Sequence, residues 1–269
     1  MRNVPAALPA WADDPAAVRA AIRRGAWRGH TAGMAPGRVQ GNLMILPRRW
    51  ADDFLGYCRA NPVPCPLIGM TEPGSPLVPV LGEDVDLRTD VPRYRVWRDG
   101  VLAGECEDIT ALWRDDFVGF VLGCSLSFEH ALQAAGLAVR HVDEGKVVPM
   151  YRTRLQTVPV GPFRGPMVVS MRPYTPAQAA LAARICAGLP GAHGAPVQVG
   201  DAAALGIADV GVPDEGEPTA ILPGEVPVFW GCGVTPQAAA IEARLPLCIT
   251  HAPGHMLVGD TPIEAVRVL

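Results

Sequence analysis

Short apolar runs alternate with amphipathic stretches along most of this chain, and the alternation predicts strands interleaved with helices. Runs rich in Val, Ile and Phe are typical of strands, whereas apolar residues that recur every three to four positions are typical of helices. This order of elements indicates an α/β fold. The expected strands include NLMIL (42–46), RYRVW (93–97), LAVRHV (137–142), PMVVSMR (166–172), VPVFW (226–230) and LCIT (247–250).

Residues with strong positional preferences mark the ends of these elements. Asp14 followed by Pro15 predicts the start of a helix that ends at Gly25, and residues 47–61 predict a second helix. The segment 175–178, Thr-Pro-Ala-Gln, is a capping box that opens a helix ending at Gly188. An Asp-Gly pair at 99–100 predicts a hairpin between two strands.

Two stretches follow one plan: an apolar strand, then Gly-Cys-x-x-Ser/Thr, then a helix. They are FVLGCSLSFEHAL (120–132) and VPVFWGCGVTPQAAA (226–240). In each, the hydroxyl residue three positions after the cysteine, Ser127 or Thr235, is expected to cap the helix. Such a turn presents free backbone N–H groups and the positive end of a helix dipole, which suit a carboxylate or a developing oxyanion. A thiol held there is expected to be acidified. The structural alternative is that Cys124 and Cys232 are small buried residues at strand ends.

Composition restricts the functions that are compatible with the chain. Its 269 residues carry a net charge of -4 without basic clusters, which disfavours a nucleic-acid partner. The seven cysteines are dispersed and include no CxxC pair, so free thiols are expected rather than a disulfide framework or a zinc site. No apolar run approaches the roughly 20 residues that span a bilayer, and no signal core is found near the N-terminus. We therefore expect a cytoplasmic protein without a membrane span.

Further polar residues stand where a packed core does not require them. Arg152, Arg154 and Arg172 lie in or beside apolar strands, where a guanidinium pairs with a carboxylate of the protein or of a ligand. His251 and His255 lie in a Pro-Gly loop, which favours orientation of a substrate or proton transfer over metal binding. Glu129, in the first turn after Ser127, either complements the helix dipole or takes part in catalysis.

Several of these segments together resemble the D-glutamate cyclase family of bacterial hydro-lyases. The resemblance covers nearly the whole chain, and its most specific segments are GEVPVFWGCGVTPQ (224–237), ITHAPGHM (249–256), GCSLSFE (123–129), PMYRT (149–153) and VVSMRP (168–173). It implies a three-layer α/β unit that carries an inserted, smaller two-layer α/β unit. We expect the insertion at residues 116–190 and the main domain at 1–115 and 191–269.

The resemblance also implies a reaction, the loss of water from D-glutamate to give 5-oxo-D-proline, and its reverse. We expect no cofactor and no metal site, and we expect a small dicarboxylate as the partner. A homodimer is the prior expectation for the assembly. In this hypothesis one Gly-Cys turn holds the α-carboxylate and the other polarises the reacting carboxyl group.

Each candidate residue then receives a role. Ser125, Ser127, Gly233 and Thr235 bind substrate within the turns, and Arg152 or Arg172 neutralises its charge. His251 or His255 transfers the proton, and Cys124 or Cys232 can form a transient acyl-enzyme. The alternatives are a hydratase or amidohydrolase that acts on another small carboxylate, and a non-catalytic carboxylate-binding module.

Overall fold

The described part of the chain, residues 8–269 of a computed structural model, contains six α-helices and eleven strands. Residues 1–7, part of the N-terminus in which no signal core is predicted, lie outside it. The helices are α1 (Pro15–Arg23), α2 (Ala51–Ala60), α3 (Leu126–Ala134), α4 (Arg140–Asp143), α5 (Pro176–Ala187) and α6 (Val234–Glu242). The strands are β1 (Arg38–Pro47), β2 (Leu67–Met70), β3 (Tyr94–Arg98), β4 (Val101–Cys106), β5 (Phe117–Gly123), β6 (Met150–Gln156), β7 (Pro166–Tyr174), β8 (Gln198–Val199), β9 (Val226–Gly231), β10 (Cys248–His251) and β11 (Leu257–Pro262).

The strands form two antiparallel sheets. The larger sheet has the order β2-β5-β1-β10-β3-β4, with β11 also pairing with β1, and the smaller has the order β6-β7-β9-β8. Helices and sheets in one chain confirm the predicted α/β class. No helix within residues 8–269 reaches the length and apolarity that a bilayer crossing demands.

The expected division into domains does not coincide with the two sheets. Strand β5 lies within the expected insertion, 116–190, yet it pairs with β1 in the larger sheet. Strand β9 follows residue 190, yet it pairs with β7 in the smaller sheet. The division into a main and an inserted domain stays a prediction, and the smaller sheet favours an insertion that begins near β6 and ends near β9.

Most of the predicted element ends are confirmed by local hydrogen bonds. The carboxylate of Asp14 accepts from the N–H of Ala16 at 3.0 Å and caps α1. Thr175 and Gln178 form both bonds of a capping box at the start of α5. The hairpin between β3 and β4 turns at Asp99 and Gly100, whose φ angles are +50° and +79°.

The predicted strand at residues 137–142 is wrong. Leu137 and Val139 bury their side chains in the core without joining a sheet, and residues 140–143 form the single helical turn α4. A six-residue apolar run has the same pattern in both conformations, because only a longer stretch separates the two periodicities.

The helices that follow β5 and β9 connect the two sheets. Helix α3 packs Phe128 into a core that contains Val121 of the larger sheet and Trp230 of the smaller one. Helix α6 leaves the smaller sheet and packs Ala240 against Met44 on the other face of the larger sheet. This arrangement brings the carboxyl ends of β5 and β9 to one place.

Candidate active site between the two Gly-Cys turns

The first Gly-Cys turn, residues 123–127, is fastened to β1, the strand that pairs with β5. The N–H of Cys124 donates to the carbonyl oxygen of Gln40 at 3.1 Å. The hydroxyl of Ser127 accepts from the N–H of Gln40 at 2.7 Å and donates to its carbonyl oxygen at 3.2 Å. The predicted capping role of Ser127 is therefore wrong: this residue lies inside α3, and its hydroxyl ties the helix to the sheet.

The second Gly-Cys turn, residues 231–235, repeats these bonds on β7. The N–H of Cys232 donates to the carbonyl oxygen of Val168 at 3.0 Å. The hydroxyl of Thr235 accepts from the N–H of Val168 at 2.9 Å and donates to its carbonyl oxygen at 3.2 Å. Thr235 likewise lies inside α6 and does not cap it.

The equivalence extends into the sheets. In the first unit, Gln40 takes these bonds and immediately precedes Gly41, which pairs with Gly123 of the turn. In the second unit, Val168 takes them and immediately precedes Val169, which pairs with Gly231. Each unit is thus a strand, an antiparallel strand, a Gly-Cys turn and a helix of nine residues. This arrangement is an internal structural repeat. In each unit the sequence motif covers the second strand, the turn and the helix, but not the first strand.

Both turns leave backbone donors free. Within residues 8–269, no oxygen atom accepts a hydrogen bond from the N–H groups of Ser125, Leu126, Gly233 or Val234. The N–H groups of Leu126 and Val234 face the sulfur of the cysteine in their own turn. Each turn therefore presents one free N–H donor, that of Ser125 or Gly233, at the positive end of a helix, which favours an anionic group.

The two turns line a single pocket, with about 540 Å³ of empty space that is partly open to solvent. Besides the turns, the polar lining consists of Asn42, Lys146, His30, His141 and His251. No carboxylate of the described residues lines the pocket, so its charge favours an anionic ligand.

Both thiols of the pocket are held in the neutral form. Burial raises the pKa of Cys124 to about 12 and that of Cys232 to about 11, although a backbone N–H of the following helix faces each sulfur. The predicted lowering of the thiol pKa is therefore wrong. The free energy needed to remove a thiolate from water exceeds the stabilisation that the helix N-terminus provides.

Arg172 and Glu129 form a buried ion pair behind the first turn. The Arg172 guanidinium donates to the Glu129 carboxylate, to the hydroxyl of Ser125 at 2.9 Å and to that of Ser170 at 3.0 Å. Burial opposes ionisation of Glu129, but the adjacent charges of His141 and Arg172 outweigh it and lower the pKa of this carboxyl to about 2. Arg172 is 1% exposed and does not line the pocket. Its carboxylate partner is thus part of the protein.

His141 connects this ion pair to the pocket. Its Nε2 lies 3.1 Å from Oε1 of Glu129 without the alignment of a hydrogen bond, and no hydrogen bond within residues 8–269 involves its Nδ1. The side chain is 2% exposed and lines the pocket. A histidine oriented by a carboxylate in this way is a common form of general acid or base.

His251 lies on the opposite side of the pocket in the neutral form. Its Nδ1 accepts from the backbone N–H of Leu43 at 3.1 Å, so Nε2 carries the hydrogen. Burial lowers the pKa of His251 to about 3. The Gln237 amide nitrogen lies 2.9 Å from Nδ1. His251 can therefore donate a hydrogen bond to a ligand but is a weak proton acceptor.

His255 is adjacent to the pocket and does not line it. Its Nδ1 lies 2.8 Å from the carbonyl oxygen of Pro253, and its ring centroid lies 4.9 Å from that of His30. Gly254, at φ +77°, allows the close approach, because a Cβ there would lie 2.7 Å from Nδ1 of His30. His255 thus supports the pocket wall through His30.

Two predicted arginines lie away from the pocket. Arg152 and Arg154 are exposed on β6. The backbone N–H of Arg152 donates to the carboxylate of Asp214 at 2.7 Å, and the side chain of Arg154 packs over Gly206. Neither residue lines the pocket.

Gly233 packs closely against Asn42, a polar residue of the pocket that the sequence motifs do not include. A Cβ at this position would lie 2.0 Å from the amide nitrogen of Asn42. That amide donates to the carbonyl oxygen of Gly123 at 2.8 Å, so Asn42 bridges the two Gly-Cys turns. Glycine at 233 is required for this close packing.

Four polar residues that line the pocket are absent from the residues predicted from the sequence: Asn42, His30, His141 and Lys146. Asn42 is a buried polar residue in an apolar strand, a signal that was available in NLMIL. His141 was assigned to a strand, which hid its proximity to Glu129. Within residues 8–269, no group of three or more His, Cys, Asp or Glu side chains is arranged to hold a metal ion.

Comparisons with known proteins point to one family. The sequence profile of D-glutamate cyclase matches residues 118–260, a range that contains both Gly-Cys turns, His141 and His251. A relative from Verminephrobacter eiseniae (strain EF01-2) is 60% identical over 247 residues, which cover 92% of this chain and 90% of the relative. A relative from Jannaschia sp. (strain CCS1) is 58% identical, with 94% of this chain and 95% of the relative covered. Both carry the name "Putative hydro-lyase".

A solved structure was also matched. A nitrogen repressor-like protein from Methanococcus jannaschii is 8% identical, with 89% of this chain and 96% of the other covered, at a TM-score of 0.35. A likeness at that level carries no argument about function.

Proposed function

This chain belongs to the D-glutamate cyclase family, and we propose that it removes water from D-glutamate to form 5-oxo-D-proline and catalyses the reverse hydration. The relatives are named at the level of hydro-lyase, so the class of reaction comes from the family. The substrate and the roles of the residues are argued from the pocket.

One observation carries the proposal: two Gly-Cys turns from different sheets meet in one pocket that no carboxylate of the described residues lines. Each turn offers a free N–H donor at a helix N-terminus. A dicarboxylate such as glutamate presents two anionic groups, one for each turn. A monocarboxylate would leave the donor of one turn unpaired, at a cost in affinity.

Cyclisation also requires the reacting carboxyl group to be polarised. The N–H groups of a turn stabilise the oxyanion that develops when the amine nitrogen attacks, as backbone donors do in acyl transfer. Binding in a small pocket brings the amine and the distal carboxyl group of one substrate molecule together. Direct attack by the amine needs no protein nucleophile, which agrees with the raised pKa of both thiols.

The proposal is tested with purified protein and four compounds: D-glutamate, L-glutamate, 5-oxo-D-proline and 5-oxo-L-proline. Proton NMR follows the conversion of each, because ring closure shifts the signals of the methylene protons. We expect interconversion of the D pair and little conversion of the L pair. Conversion of none of the four refutes the cyclase assignment. Saturable binding of D-glutamate in calorimetry without any turnover would indicate a carboxylate-binding module instead.

A further inference from the structure

The two halves of the pocket have equivalent backbones but different side chains. We call the first Gly-Cys turn with α3 and His141 the first arm, and the second turn with α6 and His251 the second arm. Glu129 follows Ser127 by two residues, and Gln237 follows Thr235 by two residues, so they occupy equivalent positions. Each contacts the histidine of its own arm. The repeat thus contains a carboxylate in one arm and an uncharged amide in the other.

This difference changes what each histidine can do. In the first arm, Oε1 of Glu129 lies 3.1 Å from Nε2 of His141, and the ring lines the pocket with no hydrogen bond to its Nδ1 within residues 8–269. In the second arm, Nδ1 of His251 is occupied by the backbone N–H of Leu43, and the neighbouring group is neutral. The first arm therefore leaves a ring nitrogen open to exchange a proton with a ligand, whereas the second arm offers a fixed hydrogen-bond donor.

We propose that His141, oriented by Glu129, is the catalytic acid and base of the reaction, and that the second arm binds the carboxylate that does not react. The inference rests on the proposed function. The reacting carboxyl group then lies at the first turn, where the free N–H of Ser125 faces the developing oxyanion. His141 touches the substrate, whereas Glu129 acts through His141 and is a positioning residue.

The proton transfers balance with one histidine. The ammonium group of D-glutamate gives a proton to Nδ1 of His141, and the freed amine attacks the distal carboxyl carbon to form the C–N bond. Nδ1 returns this proton to a carboxyl oxygen, accepts the second proton of the nitrogen and transfers it to the same oxygen. The C–O bond then breaks, water leaves, and the ring amide keeps one hydrogen.

Other titratable groups of the pocket are less suited to this role. The Nζ atom of Lys146 lies 2.7 Å from a carboxylate oxygen of Glu144 and also faces the carbonyl oxygen of Pro218. His30 packs against His255 and is exposed at the edge of the pocket. His141 is the buried pocket histidine with both a carboxylate partner and a free ring nitrogen.

Three histidine variants test the assignment. In His141→Gln we expect kcat for D-glutamate to fall by about 100-fold or more, the usual contribution of acid–base catalysis. In His251→Gln we expect KM to rise by about tenfold with kcat changed by less than about threefold, because one binding hydrogen bond is lost. His130→Gln, on the same helix as Glu129 but exposed and outside the pocket, is the matched control and is expected to retain wild-type kinetics.

A second variant separates lost chemistry from misfolding. We expect added imidazole to restore part of the turnover of His141→Ala, because the free base can occupy the vacated space. Retained kcat in His141→Gln, or equal loss of kcat in the 141 and 251 variants, overturns the assignment while the cyclase activity of the wild-type protein stands. Absence of turnover in the wild-type protein instead refutes the proposed function itself.

The role of Glu129 requires a readout beyond loss of activity. Glu129→Gln leaves Arg172 without its counter-charge, so the paired variant Glu129→Gln/Arg172→Met is used to keep the network neutral. We expect kcat to fall while KM changes by less than about threefold, because the carboxylate no longer holds the ring of His141 in position. An unchanged kcat in a folded variant refutes the positioning role.

Discussion

Replacing Arg172 by methionine tests the buried charge network behind the first Gly-Cys turn. The guanidinium is 1% exposed, donates to three side chains and lies 4.8 Å above the ring of Phe128. Methionine keeps much of the apolar length and removes the charge, which leaves the carboxylate of Glu129 with His141 alone. Breaking a buried ion pair in this way costs about 3–5 kcal/mol.

The acidity of Glu129 gives a second measure of the same interaction. Its pKa falls from 4.5 to about 2, which corresponds to roughly 3 kcal/mol shared between His141 and Arg172. Because the pKa is lowered in the folded protein, this stabilisation is complete above about pH 4.5. It is lost as the pH falls through about 2. In Arg172→Met we expect a smaller loss of unfolding free energy as the pH falls from about 4.5 to about 2.

Urea unfolding followed by tryptophan fluorescence, at pH 7 and at pH 3, measures both effects. Arg114→Met is the matched control, since Arg114 also pairs with a carboxylate and lies 5.3 Å from the ring of Phe117, but its side chain is half exposed. We expect the control to lose less than about 1 kcal/mol. A loss that small in Arg172→Met, or an unchanged pH dependence, refutes the reasoning.

Two further predictions follow from the contacts around the pocket. Gly233→Ala places a Cβ 2.0 Å from the amide nitrogen of Asn42, and we expect a loss of about 1–3 kcal/mol in unfolding free energy together with reduced turnover. Gly104→Ala, in an exposed strand with no atom within 4 Å of the added Cβ, is the control and should change neither quantity. Cys124→Ala and Cys232→Ala should each retain kcat within about threefold in the NMR assay, since a protonated thiol is a poor nucleophile. A loss of 100-fold or more in either variant would instead support an acyl-enzyme formed by that thiol.

Local sequence signals predicted much of the fold because they act over a few residues. Asp14 and the Thr175–Gln178 box predicted helix starts, and Asp99-Gly100 predicted the hairpin, since each motif satisfies its own backbone groups. The α/β class followed from the alternation of elements. The domain division, the homodimer and the cytoplasmic location stay predictions.

The structural repeat was only half visible because its contacts use backbone groups. Gln40 and Val168 occupy equivalent positions but share no side-chain chemistry, since each offers only its N–H and carbonyl to the hydroxyl residue of the turn. The same feature explains why the sequence predicts Ser127 and Thr235 as capping residues. A hydroxyl three positions after a turn can bond its own helix or a neighbouring strand, and only the fold decides.

His141 was missed for a different reason. Its partner Glu129 lies twelve positions earlier, and the two meet where residues 140–143 form the helical turn α4 rather than a strand. For Arg172 the sequence left open whether the carboxylate partner belongs to a substrate or to the protein, and that choice depended on the long-range contact with Glu129.

Joining both arms in one polypeptide allows them to diverge. In a symmetric homodimer with a pocket on its two-fold axis, every substitution appears twice, so a carboxylate at position 129 would also appear opposite itself. Two such buried charges would compete for protons, and the two ends of a bound substrate would be treated alike. A single gene with two copies of the unit can place glutamate in one and glutamine in the other. In the mechanism that we propose, the pocket thereby distinguishes the two ends of a nearly symmetric molecule.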